Sequence, residues 1–418
     1  MNQTRGDLKR NSDIEGAVFY GTLYIALMVS AGSAIYSLKQ GLTIEMKAGL
    51  LAMSAIVILT WYYEYYLAIL KSYQRFPLIT SANYLDATVN VGLTVLLIYF
   101  FGIYGLYASA MLSLMVVISY FRSSHPLNHT AGFKFNIFTG LVKNGFPILL
   151  FGLGSLLMHT ADRLVVSWFL GLEALGYYGI AVMVMNAIMD IPIAARDVME
   201  PRLMQSIEAE KKDEILRDFL FKPLINTAYL MPFLVGTVVF LMPAFVTLLL
   251  PRYIQGIGPT QIVVFGAYFF SMSYVLRGMI IARGLQLKGT LIMAVSIIIN
   301  IALSVVFIKT GYGLNGVAGA GVVSFLVLFI SLFLFVRKNL DCPDKQWQDC
   351  LKAISLPFPI MCASILAISF AMAGLNPYLK AVLGYGVFTA IMGGLLIYGR
   401  KNLNILEGVS IKGIWKKA

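Results

Sequence analysis

The chain has 418 residues, 59% of them hydrophobic and only 12% charged, with a mean hydropathy of +0.80. That composition excludes most soluble-enzyme readings and describes a protein whose solvent is mostly lipid. The net charge of +12 takes its meaning from where the basic residues fall along the chain.

Met1 to Glu15 is polar and mixed in charge, unlike a cleavable signal peptide. Twelve apolar stretches follow, at 16–38, 47–70, 82–101, 104–121, 145–168, 174–195, 224–249, 258–282, 289–308, 315–336, 353–373 and 381–399. Each is about the 20 residues that cross a ~30 Å hydrocarbon core as a helix. Barrel strands would not give such continuous runs. The fold class predicted is an all-α integral membrane protein of about 12 transmembrane helices. Only Gly102-Ile103-Tyr104 joins the third and fourth spans, which predicts a tight helical hairpin. The connector 201–222, rich in Glu208, Glu210, Lys211, Lys212, Asp213, Glu214 and Arg217, reads as an amphipathic helix on the cytoplasmic surface.

Of the Lys and Arg residues outside the spans, 25 fall on one side, counting both termini and the connector. The other side holds five: Lys39, Lys47, Arg252, Lys309 and Lys380. This asymmetry places both termini in the cytoplasm and needs no nucleic-acid partner. Cys342, Cys350 and Cys362 indicate no disulfide framework, and no metal-ligand spacing is present; His125 and His129 belong to a loop.

An internal repeat organises the spans. Lys71 to Arg75 ends one span and is followed by Asn90 and Gly102-Ile103-Tyr104-Gly105-Leu106. Arg283 to Lys288 ends another and is followed by Asn300 and Gly311-Tyr312-Gly313-Leu314, about 210 residues on and in the same order. The offset covers an even number of spans, so the copies run parallel, as in transporters built of two lobes. Segments read as 1–15, a cytoplasmic start; 16–135, a first lobe of four helices; 136–340, a second lobe of six; and 341–418, a helix pair with a basic cytoplasmic tail. The first lobe is two helices shorter than the second, either because the chain begins at an internal Met or because the lobes are unequal.

Residues 144–180 read Asn-Gly-Phe-Pro, an apolar span, Asp162-Arg163, then Leu170-Gly171 and Ala174-Leu175-Gly176-Tyr177-Tyr178. This resembles the second-lobe opening of Wzx-type flippases, the polysaccharide transporter branch of the multidrug/oligosaccharidyl-lipid/polysaccharide exporter superfamily. The resemblance runs from about residue 16 to 400. It implies two lobes around a central cleft and alternating-access translocation of a polyprenyl-pyrophosphate-linked oligosaccharide from the cytoplasmic to the outer leaflet. It also implies coupling to an ion, proton or sodium, in O-antigen (lipopolysaccharide), capsule or exopolysaccharide biosynthesis at a bacterial inner membrane. No cofactor is implied; a polysaccharide polymerase is a possible partner. The family pattern has a matching first pair of helices that this chain lacks.

Charges inside a span cost at least about 2.5–3.5 kcal/mol on insertion scales and therefore mark function or pairing. Six stand out: Glu64, Asp86, Asp162, Arg163, Asp190 and Arg277. Four acids against two arginines do not make a strongly cationic cavity. Arg163 is the strongest candidate for substrate binding or gating, because a guanidinium grips a phosphate oxygen pair as a fork; snorkelling to the interface is the plain alternative. Asp162 serves either an interhelical bond or coupling, and His159, one turn before Arg163, either lines a polar cavity or bonds a neighbouring helix. A 212-residue offset sets Glu64 beside Arg277 and suggests an inner gate across the cleft, against pairing of each within its own lobe. Asp86 and Asp190 are candidates for ion coupling, with capping at cytoplasmic helix ends as the ordinary explanation. The run Trp61-Tyr62-Tyr63-Tyr65-Tyr66 is read as packing before sugar stacking, and Gly311–Gly321 as a small-residue seam. Other classes stay open: a cation-coupled multidrug antiporter of the same superfamily, a peptidoglycan-precursor flippase, and a membrane glycosyl- or acyltransferase. The last is disfavoured by short outer connections whose only acids are Glu45 and Glu173.

Overall fold

The computed structural model describes residues 5–124, 133–208, 213–340 and 342–403; for 5–12, 159, 194–208, 213–219 and 402–403 it describes the backbone alone. Among the described residues the chain forms thirteen α-helices, one 3₁₀ turn and no strand. In chain order the first six are α1 (Arg5–Ser37), α2 (Ile44–Ser72), α3 (Phe76–Phe101), α4 (Ile103–Ser124), α5 (Phe135–Phe169) and α6 (Gly171–Glu208). Then come α7 (Asp213–Leu249), the 3₁₀ turn Pro251–Gly256, α8 (Ile257–Ala282), α9 (Gln286–Lys309) and α10 (Gly313–Asn339). Last are α11 (Asp344–Ser355), α12 (Pro357–Ala371) and α13 (Pro377–Leu403). Twelve helical stretches are long and apolar enough to cross a membrane, one for each predicted span. The protein is an all-α, multi-pass membrane protein.

Two compact units divide the chain, Met1–Phe146 and Pro147–Ala418, with the boundary inside α5. In the first unit, α1 and α2 are stitched by hydroxyls. Ser30 donates to the Ser54 carbonyl at 2.8 Å, and Trp61 donates through Nε1 to Thr22 at 2.8 Å. The aromatic run is packing: Phe19 meets Trp61 and Tyr65 on α1–α2, and Tyr63 and Tyr66 stack on Phe121 of α4. At the end of α2, Tyr73 donates to Glu15 at 2.8 Å, and this bond, ahead of burial, raises the phenol's pKa.

The predicted hairpin is present. α3 ends at Phe101, α4 begins at Ile103, and Gly102 between them has a φ of 57°. Gly105 lies so close to the Leu97 carbonyl that a Cβ there would clash, so small residues let these helices meet.

In the second unit α8 is the axis, buried by α6, α7 and α10. The α12–α13 pair packs on this unit through α7, where Gly236 accommodates Phe388 and Gly384 faces Phe240. α11 is a short amphipathic helix whose Trp347, Cys350, Ala353 and Ile354 are buried, with Trp347 edge-on to Phe221 and Phe333. The connector 201–222 is not a separate helix among the described residues. α6 continues to Glu208 and α7 starts at Asp213, while 209–212, with Glu210, Lys211 and Lys212, lie outside the described residues.

The two turns that the repeat pairs share a backbone geometry, which the α9–α10 turn also adopts, with Gly311 at a φ of 89° and Tyr312 N–H on the Phe307 carbonyl. At the α2–α3 turn, Tyr73 has φ −84° and ψ 3°, Gln74 has φ 55°, and Arg75 N–H donates to the Leu70 carbonyl at 2.9 Å. At the α8–α9 turn, Arg283 has φ −92° and ψ 2°, Gly284 has φ 70°, and Leu285 N–H donates to the Ile280 carbonyl at 2.9 Å. Pairing these turns sets Tyr73, Gln74 and Arg75 against Arg283, Gly284 and Leu285, a register of 210 that also pairs Asn90 with Asn300. Glu64 therefore corresponds to Tyr274, and Arg277 to Leu67.

Candidate functional site

In the second unit, α5 and α6 form a shallow recess lined by Asp162, Arg163, Tyr178, Val182 and Asn186, with Val263 and Phe325 closing it from α8 and α10. Tyr178 is 1% exposed and donates its hydroxyl to Asp162 Oδ2 at 2.6 Å. The other carboxylate oxygen accepts the Arg163 backbone N–H at 2.8 Å. Asp162 is thus an interhelical acceptor that ties α5 to α6. Arg163 lines the recess beside it, and its Nε is buried without a hydrogen-bond partner among the described residues. A fork donor with an unused buried N–H is equipped to receive an anionic oxygen.

Tyr178, Val182, Asn186 and Asp190 follow one another at four-residue steps along α6, so Asp190, which is exposed, extends the polar line of the recess. The helix continues past Pro192. His159 lies on α5 one turn from Arg163, and its side chain is outside the described residues. The sequence reading missed Tyr178 and Asn186 as site residues. Their signal was a phenol following Asp162 by 16 residues and an amide two turns further along α6.

Arg277 sits elsewhere in this unit. It is 6% exposed, with its guanidinium carbon 4.9 Å from the Phe151 ring centre and 4.8 Å from that of Tyr274. Phe151 is itself fully buried and fills the space above Gly289. Such ring contacts stabilise a desolvated cation and join α5 to α8 within one unit.

The first unit carries a second polar line. On α3, Asp86, Asn90 and Thr94 stand at four-residue steps. Ser113 of α4 donates to Asp86, and the Thr94 hydroxyl lies 3.0 Å from Ser109 and 3.2 Å from Asn90 Oδ1. The expectation that Asp86 caps a helix end fails, because α3 begins at Phe76. Ten residues in, Asp86 is about 15 Å from that end along the helix. The equivalent line on α9 is Ser296, Asn300 and Ser304, all buried, where Asn300 Oδ1 and Ser304 Oγ have no hydrogen-bond partner among the described residues. Glu64 is exposed on α2.

Residues 18–253 match the family described as polysaccharide biosynthesis protein. The chain belongs to that family. No curated protein matches it. Among solved structures, a lipid II flippase MurJ in an inward closed conformation is similar at a TM-score of 0.65 and 16% identity, covering 93% of this chain and 85% of that one. An outward-facing multidrug resistance MATE family transporter of the MOP superfamily is similar at a TM-score of 0.64 and 16% identity, covering 78% of each chain. A MOP superfamily transporter from Pyrococcus furiosus, described as having a binding pocket of reversed polarity, is similar at a TM-score of 0.60 and 14% identity, covering 80% of each chain. This member of the polysaccharide biosynthesis family therefore has the fold of MOP-superfamily transporters and flippases, and these three similar structures are transporters or flippases.

Proposed function

We propose that the chain is a flippase that moves a polyprenyl-pyrophosphate-linked oligosaccharide from the cytoplasmic to the outer leaflet of a bacterial inner membrane, with both termini cytoplasmic. The observation that carries this is Arg163, a guanidinium inside a span at a shallow recess beside Asp162, Tyr178 and Asn186, in a chain of the polysaccharide biosynthesis family. Arg163 binds a pyrophosphate oxygen pair, and Asp162 with Tyr178 fixes the helix pair that presents it. Arg277 is a pin between α5 and α8 in this reading, not half of a gate with Glu64. Asp86, whose carboxylate accepts from Ser113, is the site at which a proton or sodium ion couples to transport. Asp190 supplies acidity at the extended end of the α6 line.

The test is the leaflet distribution of polyprenyl-linked glycan in a strain lacking this gene. The expected result is accumulation of the intermediate on the cytoplasmic face, reversed by the wild-type chain and not by Arg163→Ala at equal membrane level. A normal distribution in the deletion strain overturns the proposal. A cation-coupled drug antiporter is the second reading, favoured by the carboxylate Asp86 inside a span and the MATE-like fold. It predicts increased sensitivity to cationic drugs in the same strain.

A further inference from the structure

The shared turn makes each unit a control for the other, because every position on the α2–α3 hairpin has a mate 210 residues on. Ser81, Tyr84 and Thr88 are exposed on α3; their mates Leu291, Ala294 and Ile298 are exposed on α9. Tyr84 is 72% exposed, Leu291 68% and Ile298 65%, so accessibility is alike and the chemistry is opposite. α9 presents hydrocarbon, which suits lipid. α3 presents hydroxyls and a phenol.

Two further polar residues are exposed at this level of the hairpin. Glu64 is eight residues before the end of α2, and Tyr84 is eight residues after the start of α3. Both are therefore about 12 Å from the turn along their helices. Asn83 is exposed and accepts from the Tyr63 hydroxyl at 3.4 Å, which ties this depth of α3 to α2. Their mates in the second unit are Tyr274, 7% exposed, and Met293, fully buried. Duplication of the fold alone thus demands no polarity at these positions, and an exposed carboxylate inside a span has to meet water or a polar ligand.

The groups define what they fit. Ser81 and Thr88 donate to their own helix carbonyls at 3.0 and 2.8 Å, leaving acceptor lone pairs outward. Glu64 adds two acceptor oxygens, Asn83 an amide and Tyr84 a flat ring with a hydroxyl. The basic residues of these two helices, Lys47, Lys71 and the flanking Arg75, lie near their ends. A face rich in acceptors, with a carboxylate whose own helix and α3 carry basic residues only near their ends, repels phosphate and suits many neutral O–H donors.

We propose that Glu64, Asn83, Tyr84 and Thr88, with Ser81, form a carbohydrate-binding surface that takes hydroxyls of the translocated glycan, the Tyr84 ring stacking on a sugar face. This rests on the flippase reading and assigns the sugar, as distinct from the pyrophosphate, to the first unit.

The test uses the full chain in lipid nanodiscs and two probes, undecaprenyl pyrophosphate and the same lipid bearing one N-acetylglucosamine. Wild type is expected to bind the sugar-bearing probe about tenfold more tightly, equivalent to ~1.4 kcal/mol. Glu64→Gln, Tyr84→Ala and the pair Ser81→Leu with Thr88→Ile abolish that preference while affinity for the sugar-free probe stays within about twofold. Tyr84→Phe keeps the ring and retains most of the preference, which separates ring stacking from a disturbed fold. A wild type without sugar preference, or variants that keep it, overturns the surface. Equal loss of both probes also overturns it, because that is what a merely structural role produces. A wild type that binds neither probe removes the flippase reading as well.

Discussion

The α2–α3 and α8–α9 hairpins turn with the same backbone geometry, yet one places Glu64 and Ser81 where the other places Tyr274 and Leu291. The polar lines differ in the same way. Asp86, Asn90 and Thr94 in the first unit are bonded to Ser113 and Ser109 of α4, whereas Asn300 Oδ1 and Ser304 Oγ are buried and, among the described residues, unbonded in the second. Arginine follows the opposite rule: the two within spans, Arg163 and Arg277, belong to the second unit. A duplicated fold constrains turns and packing but leaves the chemistry of each face free, so the differences between copies indicate function. The four acids and two arginines that looked like an unfavourable balance become two separate environments.

The largest expected effect is at Arg163. Arg163→Ala slows glycan translocation at least about tenfold, and Arg163→Lys recovers part of that because it restores charge but not the fork. Exchanging the outer faces tests the comparison itself. Ser81→Leu with Thr88→Ile slows transport about three- to fivefold at normal membrane level, whereas Leu291→Ser with Ile298→Thr leaves it within about twofold, as read by the same leaflet assay. Tyr178→Phe removes a buried hydrogen bond and lowers stability by about 1–3 kcal/mol in denaturation of the detergent-solubilised chain. Arg277→Met, which keeps the stem and loses the ring contacts, costs up to about 2 kcal/mol in the same measurement. Exchanging Glu64 and Arg277 fails to restore transport, since Arg277 is engaged within its own unit. The smallest effect is Gln74→Gly, which makes the first turn like the second. Gln74 holds a φ of 55°, and relieving it raises the thermal midpoint through about 1 kcal/mol.

Much of the fold was legible because lipid simplifies the code. Twelve runs of sufficient length gave twelve spans, and Gly102 marked the tight turn between α3 and α4. The repeat was legible from four weak landmarks, but its register was not. Lys71 and Arg283 look alike as basic residues, while the backbone aligns Gln74 with Gly284, a match of φ that side-chain chemistry hides. Depth was misread for the same reason. The polar residues Thr80 and Ser81 lie inside α3 and made it look shorter, so Asp86 was set at an end. Arg163 was legible as a charge in a span. The partnership of Asp162 with Tyr178 was not, because it joins two helices through packing that no local pattern records.

The most direct measurement is translocation by the purified chain alone. Liposomes carrying a fluorescent polyprenyl-pyrophosphate-linked glycan would be reconstituted with wild type or Arg163→Ala, and the fraction reached by an impermeant quencher followed in time. The account predicts that wild type exposes the inner-leaflet probe faster than protein-free vesicles and that Arg163→Ala does not. Wild-type vesicles that behave like protein-free ones under both a proton and a sodium gradient would contradict it.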